Sequence, residues 1–335
     1  MSRTLIEVAG LAKRYPVERG IFRRAKEHVH AVDGVDLTIA QGESVGLVGE
    51  SGCGKTTTGR MLVRLSKPTE GRVLLSDGDG NQVDIAHIAR GEMRRFRRRV
   101  QMIFQDPYES MNPRRTVYDT VSEPLKVQGI GSLRTRQQTV AELLAKVGLT
   151  PPAAYMFRYP HELSGGQRQR VAIARALVLS PSFVVADEPT SMLDVSIRIS
   201  IMDLMLELAR EFDVAYLYIT HDLAVARYMC ERIAVMYVGK IVEIGPTEEV
   251  LANPLHPYTR ALIAAVPVPD PEYVQPEVEI KGGVSKPIDP PPVCRFVDRC
   301  PWADEISRTN PHPPLEELRP NHFVACYHAR EHAGS

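Results

Sequence analysis

Net charge is the first thing this chain lacks. Its 41 Lys and Arg stand against 41 Asp and Glu, so no overall positive field argues for nucleic acid or an anionic lipid surface. Long apolar runs are missing as well. Stretches such as Val214 to Ile219 fall far short of the about 18 residues a spanning helix needs, and the chain is not expected to cross a bilayer by itself. The opening MSRTLIEVAG has no charged start followed by an apolar core and a cleavage site, which makes the cytoplasm the expected address. Five cysteines, at 53, 230, 294, 300 and 326, are too few and too unevenly placed for a disulfide framework in 335 residues. Nor is there an internal repeat of about 20 to 50 residues. The remaining composition, 44% apolar and 24% charged, suits a folded chain with one large core or two modest ones.

Residues 4 to 105 read as short strands around one glycine-rich turn, at Leu5 to Ala9, Val35 to Ile39, Ser44 to Val48, Val73 to Leu75 and Val100 to Phe104, with a helix starting at Lys55. From Thr116 to Leu179 the apolar spacing becomes helical, broken by Gly129, Gly131, Pro151 and Pro152. Strand, helix, strand and strand then follow at Phe183 to Ala186, Ile197 to Glu211, Val214 to Ile219 and Ile233 to Tyr237. Such alternation predicts a largely parallel sheet covered by helices, an α/β fold. Eight of the 26 prolines lie between Pro267 and Pro292 and mark an extended linker, with a boundary near 266. The tail beyond holds three cysteines and is too small for a good core of its own; it is expected to pack on the main body or be pinned by a metal.

Three segments carry chemistry. Gly49-Glu50-Ser51-Gly52-Cys53-Gly54-Lys55-Thr56 follows the apolar SVGLV and opens a helix, the context of a phosphate-binding loop. Glycines allow a backbone curl whose N–H groups face phosphate oxygens, the helix presents its positive N-terminus, Lys55 reaches the β and γ phosphates and the Thr56 hydroxyl ligates Mg²⁺. Cys53 is expected to serve there as a small residue. Phe183 to Glu188 is an apolar strand ending in two acids, which emerge at the carboxyl edge where α/β folds bind ligands. Asp187 would hold Mg²⁺ and Glu188 would polarise an attacking water; taken alone, two acids there also suit a solvated turn. Leu163-Ser164-Gly165-Gly166-Gln167, running into RQRVAIARAL, is an anion-binding helix start with Ser164 as a cap-like hydroxyl and two glycines exposing backbone N–H groups.

With these three segments together the chain resembles the ATP-binding-cassette (ABC) ATPases. The resemblance implies a P-loop NTPase fold of ABC type with an antiparallel strand region near the N-terminus, a helical subdomain at 107–178 within an ATPase domain of 1–266, and a small cysteine-containing extension at 267–335. It assigns Tyr15 to stacking on adenine, Thr57 to the phosphate loop, Gln105 to Mg²⁺, Asp194 in SMLD to the loop that crosses a dimer interface, and His221 in YITHDL to the γ phosphate. The segment Ser164 to Gln167 would face the nucleotide held by the Lys55 side of another subunit, so two subunits sandwich two ATP molecules. Met192 stands where alanine is usual. Segments FQDPYESMNPR, RYPHELSGGQRQRVAIARAL, NPLHPYTRAL and the cysteine tail are similar to the dipeptide/oligopeptide importer branch, over residues 4 to 328. That branch implies a second ABC ATPase subunit, two transmembrane permease subunits, an external substrate-binding protein, no nucleic acid, and a place at the cytoplasmic face of the membrane. Nickel and sugar-oligomer importers share the branch. A soluble cassette protein in DNA repair or translation would carry a coiled-coil insertion, a zinc module or two cassettes, and none is seen.

In the tail, Cys294, Cys300 and Cys326 stand where the family has three of four cysteines, and the fourth position is Ser307. Four thiolates would suit an iron–sulfur cluster, [4Fe–4S] by preference. Three leave a ligand position that Ser307, His322, His328 or solvent would fill, or else three reduced thiols sit in a packed tail. The basic run at Arg90, Arg94, Arg95, Arg97, Arg98 and Arg99 is read as a solvated helix face that could neighbour lipid headgroups and does not require nucleic acid.

Overall fold

The computed structural model describes residues 3–17, 27–76, 81–266 and 288–332. The stretch following YPVERG and most of the proline-rich segment, 267–287, lie outside the described residues. The chain forms two units, one of Met1–Leu5, Ile39–Glu43 and His87–Tyr218, the other of Ile6–Thr38, Ser44–Ala86 and Ile219–Ser335.

The first unit is built on parallel strands. Val100–Ile103 pairs with Phe183–Asp187 in the register Val100↔Phe183 to Ile103↔Ala186, and Ala215–Thr220 runs along the other side of Phe183–Asp187. All five residues of FVVAD are buried, as a strand covered on both faces requires. Helices Val117–Gln128, Leu133–Lys146, Gly165–Leu177 and Val195–Phe212 are the longest in this unit among the described residues. Their starts are encoded locally: Thr116 accepts a hydrogen bond from the Asp119 N–H and Ser132 from the Thr135 N–H, each worth about 1 kcal/mol. Val117, Val121 and Leu125 form the buried stripe of the first helix, which packs against the second and third. That helix continues through Pro124 and ends at Gly129 in the left-handed conformation, the usual stop.

The second unit holds a four-stranded sheet in the order His28–Ala40, Thr4–Pro16, Glu70–Ser76, Gln82–Asp84. Thr4–Pro16 pairs antiparallel with Glu70–Ser76, Ile6 opposite Leu75 and Val8 opposite Val73. In the same unit Ser44–Val48 pairs parallel with Arg232–Tyr237, which pairs antiparallel with Lys240–Pro246. Two strands of the cysteine tail extend this series: His322–Val324 pairs with Lys240–Pro246, and Glu316–Arg319 with His322–Val324. The tail therefore packs on the main body through backbone pairing. Beneath it, the Glu243 carboxylate is fully buried and accepts from the Leu255 N–H (2.8 Å) and the His256 N–H (2.9 Å), with His322 Nε2 at 2.7 Å.

Candidate active site

The glycine-rich loop is positioned by the strand before it and the helix after it. Ser44–Val48 is buried throughout and delivers the chain to Gly49. A Cβ at Gly49 would lie 2.2 Å from the Met236 carbonyl oxygen, and one at Gly54, where φ is +113°, would lie 2.2 Å from the Ala31 carbonyl oxygen. The loop is thus pressed between two backbone strands, and only glycine fits either place. No side chain caps the helix Lys55–Leu62 that follows, which leaves its N-terminal end suited to an anion. Lys55 is 5% exposed, and its Nζ donates to the Gly49 and Glu50 carbonyls at 2.6 and 2.9 Å. An ammonium bonded to neutral carbonyls in this way is placed to receive a polyphosphate. Burial pushes the Cys53 thiol up despite Lys55 nearby, so it is a protonated, small side chain in the loop. Glycine cradle, buried ammonium and the Thr56 hydroxyl together fit a nucleotide with its Mg²⁺.

Two further groups belong to this unit. Tyr15, at the end of Thr4–Pro16, is 40% exposed, with Lys13 Nζ 5.0 Å from its ring centre. His221 is exposed directly after Ala215–Thr220. The next residue, Asp222, caps the helix Leu223–Met229 by accepting from the Ala224 and Val225 N–H groups at 2.9 and 3.3 Å.

In the first unit the parallel register decides which side chains meet. Ile103 lies opposite Ala186, so Gln105 and Glu188, each two residues farther on, emerge side by side, and Gln105 Nε2 donates to Glu188 Oε2 at 3.2 Å. Sequence reasoning named both residues but not their contact. Asp187 is 3% exposed at the strand end; a carboxylate held there suits an oxygen-liganded cation such as Mg²⁺. Glu188 adopts φ +45°, a conformation costing a non-glycine residue about 1–3 kcal/mol. Its carbonyl accepts from the Ser191 N–H (3.2 Å) and hydroxyl (3.0 Å), which hold the strained turn.

Ser164 caps Gly165–Leu177 through a reciprocal pair: its Oγ accepts from the Gln167 N–H (3.3 Å) and Gln167 Oε1 accepts from the Ser164 N–H (3.0 Å). The two glycines differ. A Cβ at Gly165 would meet Leu193 at an ordinary 3.6 Å, whereas one at Gly166 would lie 2.7 Å from Ile197 Cγ2. Gly166 is thus required by the close approach of the helix Val195–Phe212, a packing role the sequence did not reveal. Arg168 fixes the preceding turn by donating to the Leu163 carbonyl (2.6 Å), and its guanidinium lies 4.2 Å from the Tyr108 ring centre. Asp194 is exposed at the start of Val195–Phe212, where its carbonyl accepts from the Arg198 N–H at 2.8 Å.

The tail residues do not fit an iron–sulfur cluster. Among the described residues no group of three or more His, Cys, Asp and Glu side chains is placed to hold a metal ion. At the fourth position the Ser307 hydroxyl is buried and donates to Asp304 Oδ1 at 2.7 Å, with His328 Nε2 at 3.4 Å. A hydroxyl committed in that way does not stand in for a thiolate. Burial, with Cys300 and Cys294 nearby, pushes the Cys326 thiol up to about 12, and burial raises Cys294 as well. Cys294, Cys300 and Cys326 form no disulfide, and Cys294 and Cys300 are buried in the tail.

Comparison with known proteins agrees with this geometry. Residues 32–191 match the family described as ABC transporter, and residues 242–306 match the C-terminal region of oligopeptide/dipeptide transporters. The chain is 45% identical over 327 residues to the oligopeptide transport ATP-binding protein AppF of Bacillus subtilis, covering 97% of each chain. It is 41% identical over 331 residues to the di/tripeptide transport ATP-binding protein DppF of Pseudomonas aeruginosa, covering 99% of each. Its fold is similar to the dimeric post-hydrolysis structure of the ATP-binding cassette MJ0796 bound to ADP and Pi, with a TM-score of 0.63 and 31% identity over 72% of this chain and 99% of that one. Phosphate loop, strand-end acids and C-terminal region all lie within these matches, and the chain belongs to the ATP-binding proteins of the ABC transporter family, in its oligopeptide/dipeptide branch.

Proposed function

We propose that this ATPase powers the import of peptides, docked on transmembrane permease subunits at the cytoplasmic face of the membrane and served by an external substrate-binding protein. The observation that carries the reading is the loop from Gly49 to Thr56, in which Gly49 and Gly54 lie against backbone carbonyls and the buried Lys55 ammonium is bonded to the Gly49 and Glu50 carbonyls. In it Gly49, Glu50, Ser51, Gly52, Cys53, Gly54, Lys55, Thr56 and Thr57 take the β and γ phosphates, and Tyr15 stacks on the adenine. Thr56, Gln105 and Asp187 would hold Mg²⁺, which would supply positive charge to offset that of the phosphates. Glu188 accepts the proton of a water as its oxygen attacks the γ phosphorus and the bond to the ADP oxygen breaks. Gln105, bonded to Glu188, keeps that carboxylate oriented, and His221 donates to the γ phosphate. Ser164, Gly165, Gly166, Gln167 and Asp194 face the nucleotide of a second, related ATPase subunit.

No helix among the described residues is long and apolar enough to cross a membrane. Co-expression with permease and binding-protein subunits of a peptide importer tests the reading. The chain should co-purify with membrane subunits, and peptide-loaded binding protein should stimulate ATP turnover; an assembled complex indifferent to peptide contradicts the assignment of substrate.

A further inference from the structure

The C-terminal region touches the phosphate loop at Glu50, and the contacts are of a kind that sets the loop's charge. Arg299 grips the Glu50 carboxylate with both ends of its guanidinium, Nη1 to Oε2 at 3.0 Å and Nη2 to Oε1 at 3.1 Å. The Arg299 side chain is only 10% exposed. From the HPYT segment, the Tyr258 hydroxyl accepts the Glu50 N–H at 2.8 Å. The third polar group of Glu50, its carbonyl, accepts from Lys55 Nζ. Glu50 is therefore held on one side by Arg299 of the extension, on another by Tyr258 of the HPYT segment, and on the third by the lysine that serves the phosphates.

Arg299 is itself fixed. Its N–H donates to the Phe296 carbonyl at 2.9 Å, and its guanidinium lies 5.7 Å from the Tyr237 ring centre and 5.9 Å from that of Phe296. Phe296 stands edge-on to Tyr237 at 5.2 Å and packs on Tyr258 at 5.7 Å. A bidentate pair between planar groups is directional as well as strong. Without it, a carboxylate in the loop would repel the polyphosphate that the loop must hold.

We propose that Arg299 is a positioning residue for nucleotide binding: acting through Glu50, the C-terminal extension neutralises and orients the phosphate loop, so that the loop's affinity for ATP depends on the extension. The proposal rests on the reading that this loop binds ATP. A staple that merely pins the extension to the body would lower stability when cut and leave nucleotide affinity unchanged.

Binding of fluorescent N-methylanthraniloyl-ATP with Mg²⁺ to the full chain, measured beside Tm, separates the two. Arg299→Met should raise Kd about tenfold, the scale of losing a charge-assisted pair. Arg299→Lys, which keeps the charge and loses the fork, should recover part of the affinity. Adding Glu50→Gln to Arg299→Met removes the repelling charge and should tighten binding relative to Arg299→Met alone, whatever happens to Tm. An unchanged Kd in Arg299→Met, or a double variant no tighter than that single one, overturns the proposal. If Arg299→Met does not fold, Tyr258→Phe decides: deleting that hydroxyl should weaken binding by about threefold or more, and an unchanged Kd overturns the proposal. A wild-type chain that fails to bind the nucleotide overturns the ATPase reading itself, whereas normal wild-type binding with indifferent variants removes only the role of Arg299.

Discussion

Gly54→Ala probes the phosphate loop most sharply. The new Cβ would sit 2.2 Å from the Ala31 carbonyl oxygen and 2.8 Å from Met236 Cε. The methionine end can swing away, but the carbonyl belongs to the strand His28–Ala40 and cannot. Restoring a tolerable 3.0 Å separation from 2.2 Å requires the loop to retreat by about 0.8 Å, and a misplacement near 1 Å can cost about 10²-fold in rate. The backbone conformation, φ +113°, adds about 1–3 kcal/mol of strain for a residue with a Cβ. Gly52→Ala is the matched control, because Gly52 also has positive φ, +81°, but a Cβ there meets nothing within 4 Å. Steady-state ATP hydrolysis and nucleotide titration should therefore show a loss of about 10²-fold in kcat/KM for Gly54→Ala and a clearly smaller one for Gly52→Ala. Equal losses in the two variants, or normal nucleotide affinity in Gly54→Ala, would refute the argument that close backbone approach shapes the loop.

Two other outcomes follow from the same reasoning. At Ser164, Asp also caps helices well, so Ser164→Asp should keep Tm, while Ser164→Ala lowers stability by about 1 kcal/mol; if this hydroxyl faces a phosphate, the added charge of Ser164→Asp should nonetheless depress ATP turnover, and unaltered turnover would reduce Ser164 to a cap. Burial, with His312 adjacent, holds His256 at about 3, and burial with Lys240 and Arg295 holds His312 at about 3. An unfolded imidazole gains its proton near about 6.5, so between about pH 6.5 and 3 the unfolded chain binds protons the native chain refuses, and stability falls as pH falls. His256 caps its helix by accepting the Tyr258 N–H at 3.1 Å; His256→Asn should keep the cap and flatten the decline of Tm with acid, whereas an unchanged slope would show that other groups set it.

The phosphate loop was legible because strand, glycine spacing, Lys55 and helix are contiguous, so each decision is local. Gln105 and Glu188 lie 83 residues apart and could be named singly, but their contact depends on a strand register that composition does not state. Nothing in ADEPT announces the left-handed turn at Glu188, since neither glycine nor asparagine stands there. The tail strands Glu316–Arg319 and His322–Val324 are four and three residues long, too short for alternation to show, and the first carries charge. Arg299 and Tyr258 were missed as partners of Glu50 because their pairing is purely tertiary. The same limit explains the tail cysteines, whose spacing suggested a cluster while the neighbouring Ser307, Asp304 and His328 bond to one another.

The most direct test of the catalytic assignment is the turnover of Glu188→Gln in the assembled transporter. Glutamine keeps the shape and the Gln105 contact but cannot accept the proton of the attacking water. Nucleotide affinity should stay near wild type while hydrolysis falls by about 10²-fold or more, the scale for losing a positioned base. Hydrolysis at the wild-type rate would contradict the placing of Glu188 at the chemical step.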